Sequence, residues 1–155
     1  MPRRRPGALR AARGSFEDRR PPTWAWELPP VDRLSRAASA EVHWARHKSY
    51  YGTQELLGSY RAFLDRPGGR LRPTEACCPA PGCELDDVTV VRDELADVYR
   101  TLPPVARRAL GRILRRLDAD FRHRTLPDPD PLPDHWVDWS GRPRSWWHRR
   151  LRAER

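Results

Sequence analysis

Apolar residues recur every three or four positions in four separate stretches of this 155-residue chain, with polar residues between them. The clearest stretch runs from Pro104 to Thr125 and reads PVARRALGRILRRLDADFRHRT. Ala106, Leu110, Ile113, Leu114, Leu117 and Phe121 share one face of a helix at that spacing. Arg107, Arg108, Arg112, Arg115, Arg116 and Arg122 fall outside the stripe. Pro104 is tolerated in a first helical turn, and His123 and Arg124 suit the negative end of the helix dipole. The pattern predicts a helix over 104–125. Burying its large side chains stabilises the fold by on the order of 10 kcal/mol before conformational entropy is set against it.

Three shorter stripes predict three more helices. Leu34, Ala38, Val42 and Ala45 place one over 32–49, with Asp32 as N-cap after Pro29 and Pro30. Leu56, Leu57, Tyr60, Phe63 and Leu64 place the next over 53–65, with Thr53 as N-cap and Pro67, Gly68 and Gly69 beyond its end. Val91, Leu95, Val98 and Leu102 place the third over 87–101. That helix is acidic, the helix after it is basic, and Pro103 and Pro104 force a tight turn between them. An αα-hairpin with an acidic and a basic arm follows, although exposed pairs contribute only about 0–1 kcal/mol each. The expected fold is all-α, a small four-helix bundle of two helical hairpins with irregular tails rich in Arg, Pro and Trp.

The rest of the chain lacks periodicity. Residues 1–30 read as a disordered basic extension, residues 31–126 as the helical domain, and residues 127–155 as a C-terminal strap. Within that strap LPDPDPLPDH opposes helix and favours an extended, polyproline-like path. Residues 66–86 join the two hairpins through a connection of about 20 residues, a length that in a compact domain is functional or disordered. The segment LPPVARRAL, Leu102 to Leu110, resembles the opening of the helix-turn-helix in region 4 of bacterial sigma factors, where a short helix ends in Leu-Pro before a basic helix. Residues 113–125 then continue as one helix and Pro127 onward supplies no recognition helix. The resemblance therefore implies no membership of that family.

Charge changes the picture through its distribution. The formal net charge is +9, with the excess in the first 20 and the last 16 residues, while residues 21–139 are nearly balanced. Arg outnumbers Lys 29 to one, and Gly, Ala, Arg and Pro, all with GC-rich codons, make up 71 residues. A GC-rich coding sequence accounts for the Arg bias without any nucleic-acid partner, although Arg also suits bidentate phosphate contacts. No apolar run approaches the length of a membrane span. MPRRRPG is followed by no apolar segment of signal-peptide length, so no secretory leader is expected. Three cysteines, an odd number, do not make a disulfide framework, and a reducing cytoplasmic setting follows.

The candidate chemistry is sparse. Cys77, Cys78 and Cys83 lie on a Pro/Gly-rich loop and supply three thiolates for zinc, which wants four N or S ligands. His43 and His47, four apart on one helix face, are the candidate completing ligands. The C-x4-C spacing with an adjacent Cys departs from the usual paired C-x2-C, which favours plain loop thiols. HWARH lacks the general-base Glu of H-E-x-x-H, because Trp44 takes that place. No nucleophile elbow, phosphate loop or dinucleotide fingerprint is present, and Asp134, His135 and Asp138 read as exposed polar residues of the strap.

Trp136, Trp139, Trp146, Trp147, Arg149 and Arg150 interleave aromatic and basic residues near the C-terminus. Such residues anchor a strap, meet a protein partner, or neutralise phosphates and stack on bases. The expectation is a non-enzymatic protein-interaction or regulatory module. The alternative is a nucleic-acid-associated protein that binds through its basic tails, with or without a Cys/His zinc site.

Overall fold

The computed structural model describes residues 28–44, 51–76 and 82–153. It is mostly helical, and no β-strand occurs among the described residues. Four longer helices carry it: α1 (Arg36–Trp44), α2 (Thr53–Leu64), α3 (Val88–Thr101) and α4 (Pro104–Arg124). A one-turn helix, α5 (Pro133–Trp136), and 3-10 turns at Pro30–Asp32, Cys83–Asp86 and Trp146–Arg149 complete the order.

The α4 stripe does what its spacing predicts. Ala106, Leu110, Ile113, Leu114, Leu117 and Phe121 are all buried, and α1, α2 and α3 each pack against this helix. The predicted apolar faces of α2 and α3 are buried too. Tyr60 and Phe63 pack on Phe121, with ring centroids 5.9 and 5.6 Å apart. Arg92 pairs with Asp118, and Tyr99 covers Gly111, so α3 and α4 run antiparallel across the Leu102–Pro103 turn. A Cβ at Gly111 would sit 3.0 Å from the Tyr99 ring, and the missing side chain permits that approach. The most extensive helix pairing lies between α2 and α3, and α1 rests mainly on α4.

Several local expectations need correction. Asp32 does not cap a helix. It closes a 3-10 turn, is fully buried, and receives Arg61 from α2 and Arg116 from α4. A carboxylate with two guanidiniums in reach gains more from those ion pairs than from a cap. The helix begins four residues later, where Ser35 Oγ accepts from the Ala38 amide at 3.2 Å. The expected end of this helix at 49 lies outside the described residues. Thr53 does not cap α2 either; it is the first helical residue and Gly52 precedes it as N-cap. Asp87 does cap α3, accepting from the Thr89 amide at 2.8 Å.

The two arms of the α3–α4 hairpin are joined by charge with the opposite polarity to that expected. Arg92, the basic residue early in the acidic arm, forms a two-pronged pair with Asp118 of the basic arm at 2.8 and 3.0 Å. Tyr60 Oη donates to the same carboxylate at 2.9 Å. Burial, and then the adjoining Asp118 carboxylate, push the Tyr60 phenol far above its ordinary pKa. The Arg124 guanidinium serves another helix than its own: it donates to the Leu64, Arg66 and Gly68 carbonyls just at and beyond the end of α2.

The connection after α2 is pinned rather than loose along its first part. Leu71 is buried, and its amide donates to the Arg124 carbonyl at 2.6 Å. The C-terminal strap is not wholly extended, because Pro133 opens the single turn of α5, a position where proline's missing N–H costs nothing. Residues 1–27, expected to be disordered, lie outside the described residues, while Leu28 is buried in the core.

Candidate functional site

Residues 147–153 are fixed to the body of the fold by specific polar bonds. Trp147 Nε1 and His148 Nε2 both meet the Asp93 carboxylate of α3 at 2.8 Å. Arg92 lies over the Trp147 ring at 4.2 Å. Arg152 reaches Asp87 Oδ2 and Thr89 Oγ1 at the start of α3. Arg150 donates to Thr125 Oγ1 at 2.8 Å, and to the Arg122 and Thr125 carbonyls at the end of α4. The Ala153 amide closes the run on the Pro73 carbonyl at 3.0 Å.

This anchoring leaves an open cleft of about 390 Å³ between the end of α4 and the strap. Arg122, Arg149 and Arg150 line it with Trp136, Trp146, Pro127, Pro131 and Asp128. Arg122 lies 4.0 Å from the Trp146 ring centroid, and Arg149 lies 4.6 Å from that of Trp136. Each indole thus carries a guanidinium on its face, a cation–π contact that holds the charge in place. Among the described residues Arg70, Arg122, Arg149 and Arg150 form no ion pair. Burial, then the positive charges of Arg122 and Arg70, pull the Arg150 pKa down.

Beside the cleft, residues 137–143 form a tight turn. The Asp138 Oδ1 accepts from Ser140 N, Ser140 Oγ and Arg142 N at 2.7–2.9 Å, and these hydrogen bonds, that from the Ser140 hydroxyl foremost, hold its carboxyl below the ordinary aspartate range. Gly141 takes φ +76, which an L side chain rarely adopts. At the tip Trp139 is 97% exposed. Leu132, Trp136 and Val137 are also exposed.

The residues singled out by sequence therefore separate. Trp136, Trp146, Arg149 and Arg150 come together in the cleft, Trp147 is buried against α3, and Trp139 stands alone on its turn. Sequence reasoning missed the Arg122 contribution at this place; it fell within the general basic face of α4, with no spacing to link it to Trp146. Of the five candidate zinc ligands, Cys77, Cys78 and His47 lie outside the described residues. Cys83 is half-buried at the start of a 3-10 turn, and His43 is exposed on α1. Asp134, His135 and Asp138 form no set: Asp134 is exposed, His135 is buried, and Asp138 is spent on its own turn.

No protein-family model matches the chain, and no curated protein or solved structure is significantly similar to it. Among the described residues no helix is long and apolar enough to cross a membrane.

Proposed function

We propose that this protein is a non-enzymatic interaction or regulatory module, working in the cytoplasm, whose partner is a protein engaged through the Trp-rich face of the C-terminal strap. In this reading α1 to α4 serve as a small bundle of two hairpins that holds the strap rigid. The observation that carries it is Trp139, 97% exposed on a turn locked by Asp138. An indole held in water costs solubility and contributes nothing to the fold; at interfaces, tryptophans in defined positions dominate binding. A presenting turn already ordered before binding reduces the entropy lost on association.

The test is affinity capture from the native host with wild-type protein and Trp139→Ala. A protein partner is retained after nuclease treatment, survives high salt, and is lost from the variant. Retention that disappears with nuclease or falls steeply with salt sinks the proposal.

A second reading, nucleic-acid association through basic residues, is favoured by one observation, the cluster of Arg122, Arg149 and Arg150, which form no ion pair among the described residues. It predicts a log-linear loss of affinity with salt, which the same capture experiment reads.

A further inference from the structure

We infer that the arginine-lined cleft beside Trp136 receives an acidic peptide segment of the protein partner, its carboxylates held by Arg122 and Arg149. The inference rests on the protein-partner reading and names the chemistry of that partner at the same face.

Charge is the first ground. The cleft is lined by three arginines against one aspartate, Asp128, whose Oδ1 already accepts from the Asp130 amide at 3.0 Å. Arg70 adds a fourth positive charge nearby, felt by Arg150 as repulsion. Arg150 spends its Nε and Nη2 N–H groups on Thr125 and the Arg122 carbonyl, so it mainly sets the field, while the Arg122 and Arg149 side chains make no hydrogen bond among the described residues and remain to donate. A guanidinium held over an indole is attracted through its charge and keeps its N–H groups, whose fork geometry matches a carboxylate.

The second ground separates a peptide from a nucleic-acid strand. Both indoles that line the cleft already carry an arginine on a face, and Trp146 also meets the Phe121 and Trp147 rings edge-on. Bases entering the cleft find cations where a stacking platform would present open aromatic faces. The indole with open faces, Trp139, lies outside the cleft lining, in a stretch of chain where Leu132, Trp136 and Val137 are exposed too. A cationic slot walled by Trp136, with an exposed indole three residues further along the chain, is complementary to a segment carrying acidic and apolar side chains together.

The experiment is a selection from a random peptide library on the immobilised full-length protein, in parallel with Arg122→Gln/Arg149→Gln and Arg122→Lys/Arg149→Lys. Thermal melting of each variant checks that it folds. The wild type is expected to enrich peptides rich in Asp and Glu with apolar neighbours. Their affinity should drop by about ten-fold or more in the Gln variant, as expected for lost hydrogen bonds to charged groups, and should be partly kept in the Lys variant. Attraction to charge alone is kept in full when Lys replaces Arg, so the loss between wild type and the Lys variant reads the guanidinium hydrogen bonds and the further loss in the Gln variant reads the charge. Neutral or basic peptides, or the same acidic peptides bound equally by the Gln variant, overturn the inference and leave the protein-partner reading standing. If no peptide is selected, the inference falls. If in addition a short oligo(dT) strand binds the wild type but not the Gln variant, the protein-partner reading falls with it.

Discussion

Helix α4 and the C-terminal segment 126–153 are held to the same body by different means. α4 presents a repeating apolar stripe that three other helices cover. The segment has no stripe. Its last residues are fixed one at a time, by an indole N–H and an imidazole on Asp93, by Arg150 on the end of α4, and by Arg152 on the start of α3. The difference has a consequence for what the surface displays. A stripe must be covered along its length, whereas point anchors at 146–153 leave residues 132–143, the buried His135 apart, facing outward with Trp136 and Trp139.

The sharpest way to break the contrast is a charge in the stripe. Leu114→Asp buries a carboxylate without a partner and should remove more than about 4 kcal/mol, enough to unfold a domain of this size. Arg115→Ala, next in sequence and exposed, should stay within about 0.5 kcal/mol. Chemical denaturation of the two variants checks the ranking, and similar midpoints would mean that the stripe does not carry α4.

Asp32 comes second. It is a point anchor of the kind seen in the C-terminal segment, but fully buried at the other end of the chain, with Arg61 and Arg116 converging on it. Asp32→Asn leaves two guanidiniums facing a neutral amide and should cost about 3–5 kcal/mol. A double-mutant cycle with Arg116→Ala measures the coupling; additive costs would show that Arg116 contributes nothing to the site. Trp147→Phe is the milder counterpart in the strap. It keeps a ring beneath Arg92 and deletes the N–H to Asp93, with an expected loss of about 1–2 kcal/mol by thermal melting.

These variants also mark how far the sequence could be read. The six-residue stripe of α4 was legible because a helix repeats every 3.6 residues and burial follows that repeat. Arg115 and Arg116 both lie off the stripe, and nothing in their spacing distinguishes the exposed one from the one that meets Asp32. The same limit applies to the tryptophans. Composition pointed to all four, yet Trp147 is buried and Trp139 fully exposed, because without a period the side-chain direction is set by individual bonds to α3 and by the Asp138 turn. The cleft needed Arg122 from α4 beside Trp146, and that pairing arises from tertiary packing alone.

His135 supplies a test of pH dependence in the strap. Polar neighbours in sequence suggested exposure, but the fold buries it. Burial foremost, then the positive charge of Arg152, lowers its pKa, with Glu75 and Asp128 opposing. A histidine whose folded pKa lies below its unfolded value binds fewer protons in the native state. Its contribution to stability is present above about pH 6.5 and is lost as pH falls through that value toward the folded pKa. Melting temperatures of the wild type should therefore fall more between about pH 7 and pH 5 than those of His135→Gln. Parallel profiles would show that the imidazole is as well solvated in the fold as in the unfolded chain.

The smallest effect on stability should come from the residue on which the proposed function depends most. Trp139 makes no ring contact among the described residues, and its turn is held by Asp138 and Gly141 rather than by the indole. Trp139→Ala should shift unfolding by less than about 0.5 kcal/mol, the range for substitutions that touch nothing. Trp147→Phe should do the reverse, weakening the fold while leaving the displayed surface intact wherever the strap remains docked. If Trp139→Ala proves as destabilising as Trp147→Phe, the indole is packed in solution against something of its own chain. The division of the strap into an anchoring end and a presenting end then fails.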